Sequence, residues 1–276
     1  MTASTLRIAL VYPELLGTYG DGGNAEVLAG RLRWRGLPAE VVGVPVGEPV
    51  PSSCDVYLLG GGEDEPQVLA AAQLRDGGSL RSAVEGGAVC LAVCAGLQIL
   101  GESFRGADGE VHDGLSLLPL QTRRQLEEGP LPPRAVGDIA IDVDPAAVDG
   151  VVVPVLLGYE NHGGRSQPLP AAAGRPLGTV RPGVGIGNGT PDRAEGWVAP
   201  AGRGRVLATY LHGPVLALNP ALADLLLVWA GVDLPALERT DPAAALRRAR
   251  FRALGLPDLE ASNGRGNGGQ VQAAQP

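Results

Sequence analysis

"GGAVCLAVCAGLQILG", residues 86–101, is the stretch that decides the fold. A short apolar run, "AVCLAV", has the length and β-branched content of a buried strand. It ends at Cys94 and passes at once into "AGLQILGESF", which has helical spacing. A strand that ends in a nucleophile and turns directly into a helix is an elbow, which lifts the side chain clear of the sheet. The helix N-terminus beneath it favours a thiolate. Ala95 and Gly96 leave the turn uncluttered, so a substrate can reach the sulfur. Cys90 and Cys54 lie within apolar strands and read as small buried hydrophobes.

Upstream, "LRIALVY" (6–12) is a strand and "PELLGTYGDGGN" (13–24) a glycine-rich loop. Asn24 stands where it would cap a helix running to Gly36. "AEVVGV" (39–44) is a strand, and Cys54 to Leu59 is another, which runs into Gly60, Gly61 and Gly62. Helical patterns fill 66–75 and 79–85. Strands alternating with helices predict a mostly parallel, doubly wound α/β sheet, with chemistry at the carboxyl ends of the strands. The second half reads as added β structure: "RAVGDIAIDVD" (134–144), "VVVPVLLGYEN" (151–161), "GRPLGTVRPG" (174–183) and "GRVLATYLHGP" (204–214). Two more helices follow, at 219–231 and 241–255. Residues 1–254 are expected to form one domain, and 255–276 a disordered tail.

The composition narrows the function. The chain has 276 residues, 4% aromatics and a net charge of −8, and all 22 basic residues are arginines. That balance argues against a nucleic-acid partner. No lysine means no phosphate loop of the G-x-x-x-x-G-K-[ST] kind, and no G-x-G-x-x-G follows the first strand. Three cysteines and three histidines show no zinc spacing, so no metal site is expected. No signal peptide or membrane-length apolar run is evident, and a cytoplasmic protein is the expectation.

A cysteine nucleophile needs a base and an oxyanion hole. Position alone leaves two histidines open: His212, which ends "RVLATYLHGP", and His162, in the loop "GYENHGGRS". His112 reads as surface. The backbone N–H groups of Gly61 and Ala95 are the candidate oxyanion donors.

These pieces together resemble a family. The elbow at Cys94–Gln98, "GGGEDEPQ" (60–67), "YPELLGTYGDGGN" (12–24), "PRAVGDI" (133–139), "GYENHGGRS" (158–166) and "ATYLHGP" (208–214) are similar to class I glutamine amidotransferase domains. More narrowly, they resemble the branch that holds the cobyric acid synthases and the glutaminase subunits of lipid II isoglutaminyl synthase. The resemblance runs from about Leu6 to Gly231. It implies a flavodoxin-like sheet flanked by helices, with Cys94 as nucleophile and His212 as base. L-Glutamine would be the substrate, with Gln98 and Arg134 among its contacts; taken alone, Arg134 reads as a solvated strand-edge residue. The ammonia would pass to a MurT-like ATP-dependent ligase, which amidates the D-glutamate α-carboxyl of lipid II. ATP and magnesium would belong to that partner, with no cofactor in this chain. A corrinoid amidotransferase and a non-catalytic binding module are the alternatives. One position departs from the family pattern: Pro214 stands where many members carry a glutamate that orients the histidine. Either the site is a Cys–His dyad or another acid serves, Asp21 and Glu160 being available. A missing carboxylate predicts slow glutaminase activity in the isolated chain, raised by the partner.

Overall fold

The computed structural model describes residues 4–124, 134–237 and 241–256. The main sheet takes β1 (Leu6–Val11), β2 (Ala39–Val44), β3 (Val56–Leu59), β4 (Val89–Val93), β13 (Trp197–Ala201) and β14 (Gly204–Thr209). Their order is β13-β14-β4-β3-β1-β2, and every pairing is parallel except β13 with β14. The expected doubly wound sheet is therefore present, with one antiparallel edge. β3 and β4 are buried along their whole length, as strands covered on both faces must be. The helices are α1 (Gly23–Arg33), α2 (Asp64–Gly77), α3 (Ser79–Gly86), α4 (Ala95–Leu100), α5 (Val215–Leu218), α6 (Pro220–Trp229) and α7 (Ala244–Ala253).

The added β structure forms two further four-stranded sheets. One orders as β10 (Gly164–Pro168), β7 (Leu120–Arg124), β5 (Ser103–Arg105) and β6 (Val111–Asp113). The other orders as β12 (Ala194–Glu195), β11 (Gly178–Val180), β8 (Ala135–Val143) and β9 (Leu156–His162). It begins earlier than the sequence suggested. The helix expected through "AGLQILGESF" stops at Leu100, because Gly101 turns extended (φ −64°, ψ −179°) and the chain enters β5. Pro154 lies outside β9, so "VVVPVLLGYEN" contributes only its second half as strand. Asn24 does not cap α1 but lies inside it, where its Oδ1 accepts from the Leu216 N–H at 3.0 Å.

One core cluster runs from Ile8 and Leu58 in the main sheet to Ile139 and Leu156 in β8 and β9. A buried ionic network locks the outer helices. Arg31 of α1 grips Asp224 of α6 with two bonds, at 2.6 and 2.5 Å, and reaches Asp241 at 2.7 Å. Among the described residues no helix is long and apolar enough to cross a membrane. The tail beyond Leu256 lies outside the described residues.

Candidate active site

Cys94 leaves the end of β4 with φ 52° and ψ −101°, a strained conformation for a residue with a Cβ. Its N–H still donates to Thr209 O at 2.8 Å, so the ladder with β14 continues to the last possible residue. One residue after Ala95, the Gly96 N–H donates to Gly60 O at 3.2 Å. A Cβ on Gly96 would stand 2.9 Å from Leu59 Cβ and O, so the turn requires glycine to lie this close to β3. Backbone strain and a tight approach together fix the elbow. The free cysteines Cys90 and Cys54 are buried, and burial pushes the Cys90 thiol up to about 12.

His212 follows β14 and is pinned to β9: its N–H donates to Tyr159 O at 2.7 Å, and its carbonyl accepts from Tyr159 N at 3.2 Å. Its Nδ1 lies 2.8 Å from Asp21 Oδ2. Asp21, delivered by the loop after β1, is thus a carboxylate placed to orient the imidazole. Of the two acids that the sequence left open, Asp21 is the one bonded to His212. Glu160 accepts from the N–H groups of Ile186 and Gly187, at 2.8 and 3.0 Å, and does not bond His212.

The glycine loop explains how Asp21 arrives. A Cβ on Gly60 would stand 2.0 Å from Leu16 O, and one on Gly62 would stand 2.4 Å from Leu15 O. Only a bare backbone lets the 12–22 loop lie this close. A Cβ on Gly61 would stand 2.4 Å from His212 Cε1. The Gly61 N–H donates to Asp21 Oδ2 at 2.9 Å. The amide expected as an oxyanion donor is thus engaged with the carboxylate beside His212. The N–H groups of Ala95 and Gly62 donate to no group among the described residues. Ala95 opens α4, so its amide is an open donor at the elbow itself.

The electrostatics follow from burial plus pairing. Asp21 and His212 are both buried. Burial alone pulls the imidazole pKa down, but the Asp21 bond and the nearby Cys94 outweigh it and push His212 up to about 10. His212 is thus held as the cation near neutral pH. Its Nε2 is buried with no hydrogen-bond partner, an atom left for the thiol or a substrate.

The other predicted residues fall into two groups. Gln98 lies beneath the elbow, buried, where its Oε1 accepts from Gln67 Nε2 at 2.9 Å and its Nε2 donates to Tyr210 OH at 3.3 Å. Arg134 is exposed, just before β8, with its Nε donating to Asn161 Oδ1 at 2.7 Å. His162 ends β9. It stacks on Tyr210, ring centroids 3.7 Å apart, with its Nδ1 at Gly164 O, and burial lowers its pKa. His112 pairs with Asp108 at 3.1 Å, away from the elbow. Sequence reasoning missed Tyr19, whose ring centroid lies 4.7 Å from that of His212, and Glu195, a buried acid under the end of β14. Glu195 Oε1 accepts from Tyr210 N at 2.6 Å and Thr209 Oγ1 at 2.9 Å.

A strained cysteine facing a carboxylate-held histidine, at the carboxyl ends of parallel strands, defines a cysteine hydrolase site of the triad type. Residues 7–220 match the model of the CobB/CobQ-like glutamine amidotransferase domain, and the chain belongs to that family. It is 33% identical to the GatD subunit of lipid II isoglutaminyl synthase (glutamine-hydrolyzing) from Staphylococcus aureus strain N315, over 78% of this chain and 79% of that one. With the GatD subunit from Streptococcus pneumoniae R6 it shares 31% over 84% of this chain and 86% of that one. With the cobyric acid synthase of Albidiferax ferrireducens it shares 36%, but spans only 34% of that protein's length. The glutaminase domain of Trypanosoma brucei CTPS, solved with bound acivicin, shares the fold: TM-score 0.50 at 14% identity, covering 83% of this chain and 96% of that one.

Proposed function

We propose that this chain is the glutaminase subunit of a lipid II isoglutaminyl synthase. It hydrolyses L-glutamine to glutamate and ammonia. A MurT-like ligase subunit, which holds ATP and magnesium, uses that ammonia to amidate the D-glutamate α-carboxyl of lipid II. Its place is the cytoplasm, at the inner membrane face where the lipid-linked substrate lies. The observation that carries this reading is the buried Asp21–His212 pair, together with the strained cysteine elbow, on a chain similar to GatD subunits over most of both lengths. The cobyric acid reading has support at the level of the shared family.

The chemistry follows from the geometry. Cys94 sulfur, its proton held on His212, attacks the carboxamide carbon of glutamine. The N–H of Ala95 receives the developing oxyanion. The C–N bond breaks as His212 gives its proton to the leaving nitrogen, and ammonia departs from a γ-glutamyl thioester. Neutral His212 then takes a proton from water, whose oxygen attacks the thioester. The C–S bond breaks and glutamate leaves. Asp21 holds the ring through both proton transfers.

Cys94→Ala tests the reading directly. Glutamine-dependent amidation of lipid II by the complex should be lost, while amidation from added ammonia should persist. Loss of both would show a structural cysteine and refute the assignment.

A further inference from the structure

Glutamine carries a charged head as well as an amide, and beside Arg134, which the family resemblance already assigns to the substrate, the rim of the site holds a second charge that nothing so far uses. Glu63 is the last residue before α2, exposed, with an extended backbone (φ −74°, ψ 165°). Its Oε1 accepts from Tyr19 OH at 2.9 Å. The same phenol oxygen accepts from Asn161 Nδ2 at 3.2 Å. Asn161 Oδ1 in turn accepts from Arg134 Nε at 2.7 Å. A carboxylate and a guanidinium are thus held at the two ends of a Tyr19–Asn161 bridge. Among the described residues neither has an opposite-charge partner, and Glu63 Oε2 and both Nη atoms of Arg134 have no hydrogen-bond partner. Opposite charges so placed would ordinarily close on each other; the bridge keeps them apart and open.

The bridge also fixes the pair relative to the chemistry. The Tyr19 ring leans on His212 at a 55° tilt. Burial and the Glu63 bond raise the Tyr19 phenol to about 12, so it remains a donor to Glu63. A ligand spanning from the elbow to this rim needs an amide at one end and paired opposite charges at the other.

We propose that Glu63 binds the α-ammonium of glutamine while Arg134 takes the α-carboxylate, with Tyr19 and Asn161 setting their spacing. This rests on the glutaminase reading and adds to it the residue that selects an α-amino acid over a plain carboxamide. Glu63 is a specificity residue and leaves the bond-breaking step alone.

The test compares L-glutamine with glutaramate, which has the same amide and carboxylate but no α-amino group. On the full-length Cys94→Ala chain, calorimetric titration measures binding without turnover. Adding Glu63→Gln should weaken L-glutamine about tenfold, the size of one charge-assisted bond, and leave glutaramate unchanged. With Cys94 intact, Glu63→Gln should raise KM for ammonia release from L-glutamine at an unchanged kcat. Equal weakening of both ligands would mean that Glu63 only shapes the loop, and no weakening of either would mean that it is idle; both overturn the clamp. The underlying reading fails differently. A wild-type chain that binds L-glutamine yet releases no ammonia would refute hydrolysis while the titration still judged the clamp. Absence of L-glutamine binding would sink both.

Discussion

Asp21 gives one oxygen to two donors, the imidazole of His212 and the N–H of Gly61, and both are buried. The ring is therefore oriented by a charge that is itself held in place. Asp21→Asn would keep the oxygen and remove the charge. Its kcat for ammonia release should fall roughly 10²–10⁴-fold with little change in KM, as when a buried triad carboxylate loses its charge. The pH dependence has a definite sign. His212 is raised from 6.5 to about 10 in the folded chain, so its contribution to stability is complete below 6.5 and is lost as pH rises through about 10. Activity should fall over the same upper limb, because the leaving nitrogen loses its proton donor. A pH–rate profile of wild type against Asp21→Asn checks this: the variant's limb should move down toward 6.5.

At the scale of single elements, β14 carries the most consequence, since it ends in Thr209 and hands over Tyr210 and His212. Glu195 secures that end from β12. Burial pushes Glu195 up to about 8, against the pull of the Tyr210 and Thr209 bonds. A carboxyl raised in the folded state stabilises it below 4.5 and loses that contribution as pH rises through about 8. Glu195→Gln removes the titration, so melting temperatures measured from pH 5 to pH 9 should fall less steeply in the variant than in wild type. The elements themselves show what sequence can carry. Strand β4, the elbow at Cys94, the triple glycine and the strand that delivers His212 all announce themselves through local pattern: an apolar run, then glycine or a turn. Asp21 does not, because its role depends on a loop settling onto bare glycine backbone beside a histidine 191 residues away. Asn24 reads as a cap from sequence because its long-range donor, the Leu216 N–H, leaves no local trace. Glu195 sits in a two-residue strand, too short for any periodicity to mark it.

For the whole molecule, the Arg31–Asp224 pair ties the first helix to the last third of the chain. Arg35 adds a further bond to Asp224 at 3.0 Å. Removing Asp224 takes two bonds from Arg31, which keeps only Asp241, and takes from Arg35 its bonded carboxylate. Asp224→Ala should therefore cost about 3–5 kcal/mol in chemical unfolding, well beyond an ordinary surface change. Arg247 of α7 makes a second tie, donating to Leu218 O and Asn219 Oδ1 at 2.8 Å and to Val155 O at 2.5 Å. The first tie joins α1 to α6, and the second joins α7 to the α5–α6 junction and to the residue before β9.

The separation of 191 residues between Asp21 and His212 has a consequence for the chain as it is made. A ribosome that has released β1 to β4 has already exposed the cysteine elbow, but not the base. The nucleophile stays idle until the final strand of the main sheet docks beside it, because contacts so distant in sequence form only when nearly all of the chain is present. Unfinished copies cannot consume cellular glutamine, and hydrolytic competence is itself a readout that synthesis and folding have both run to completion.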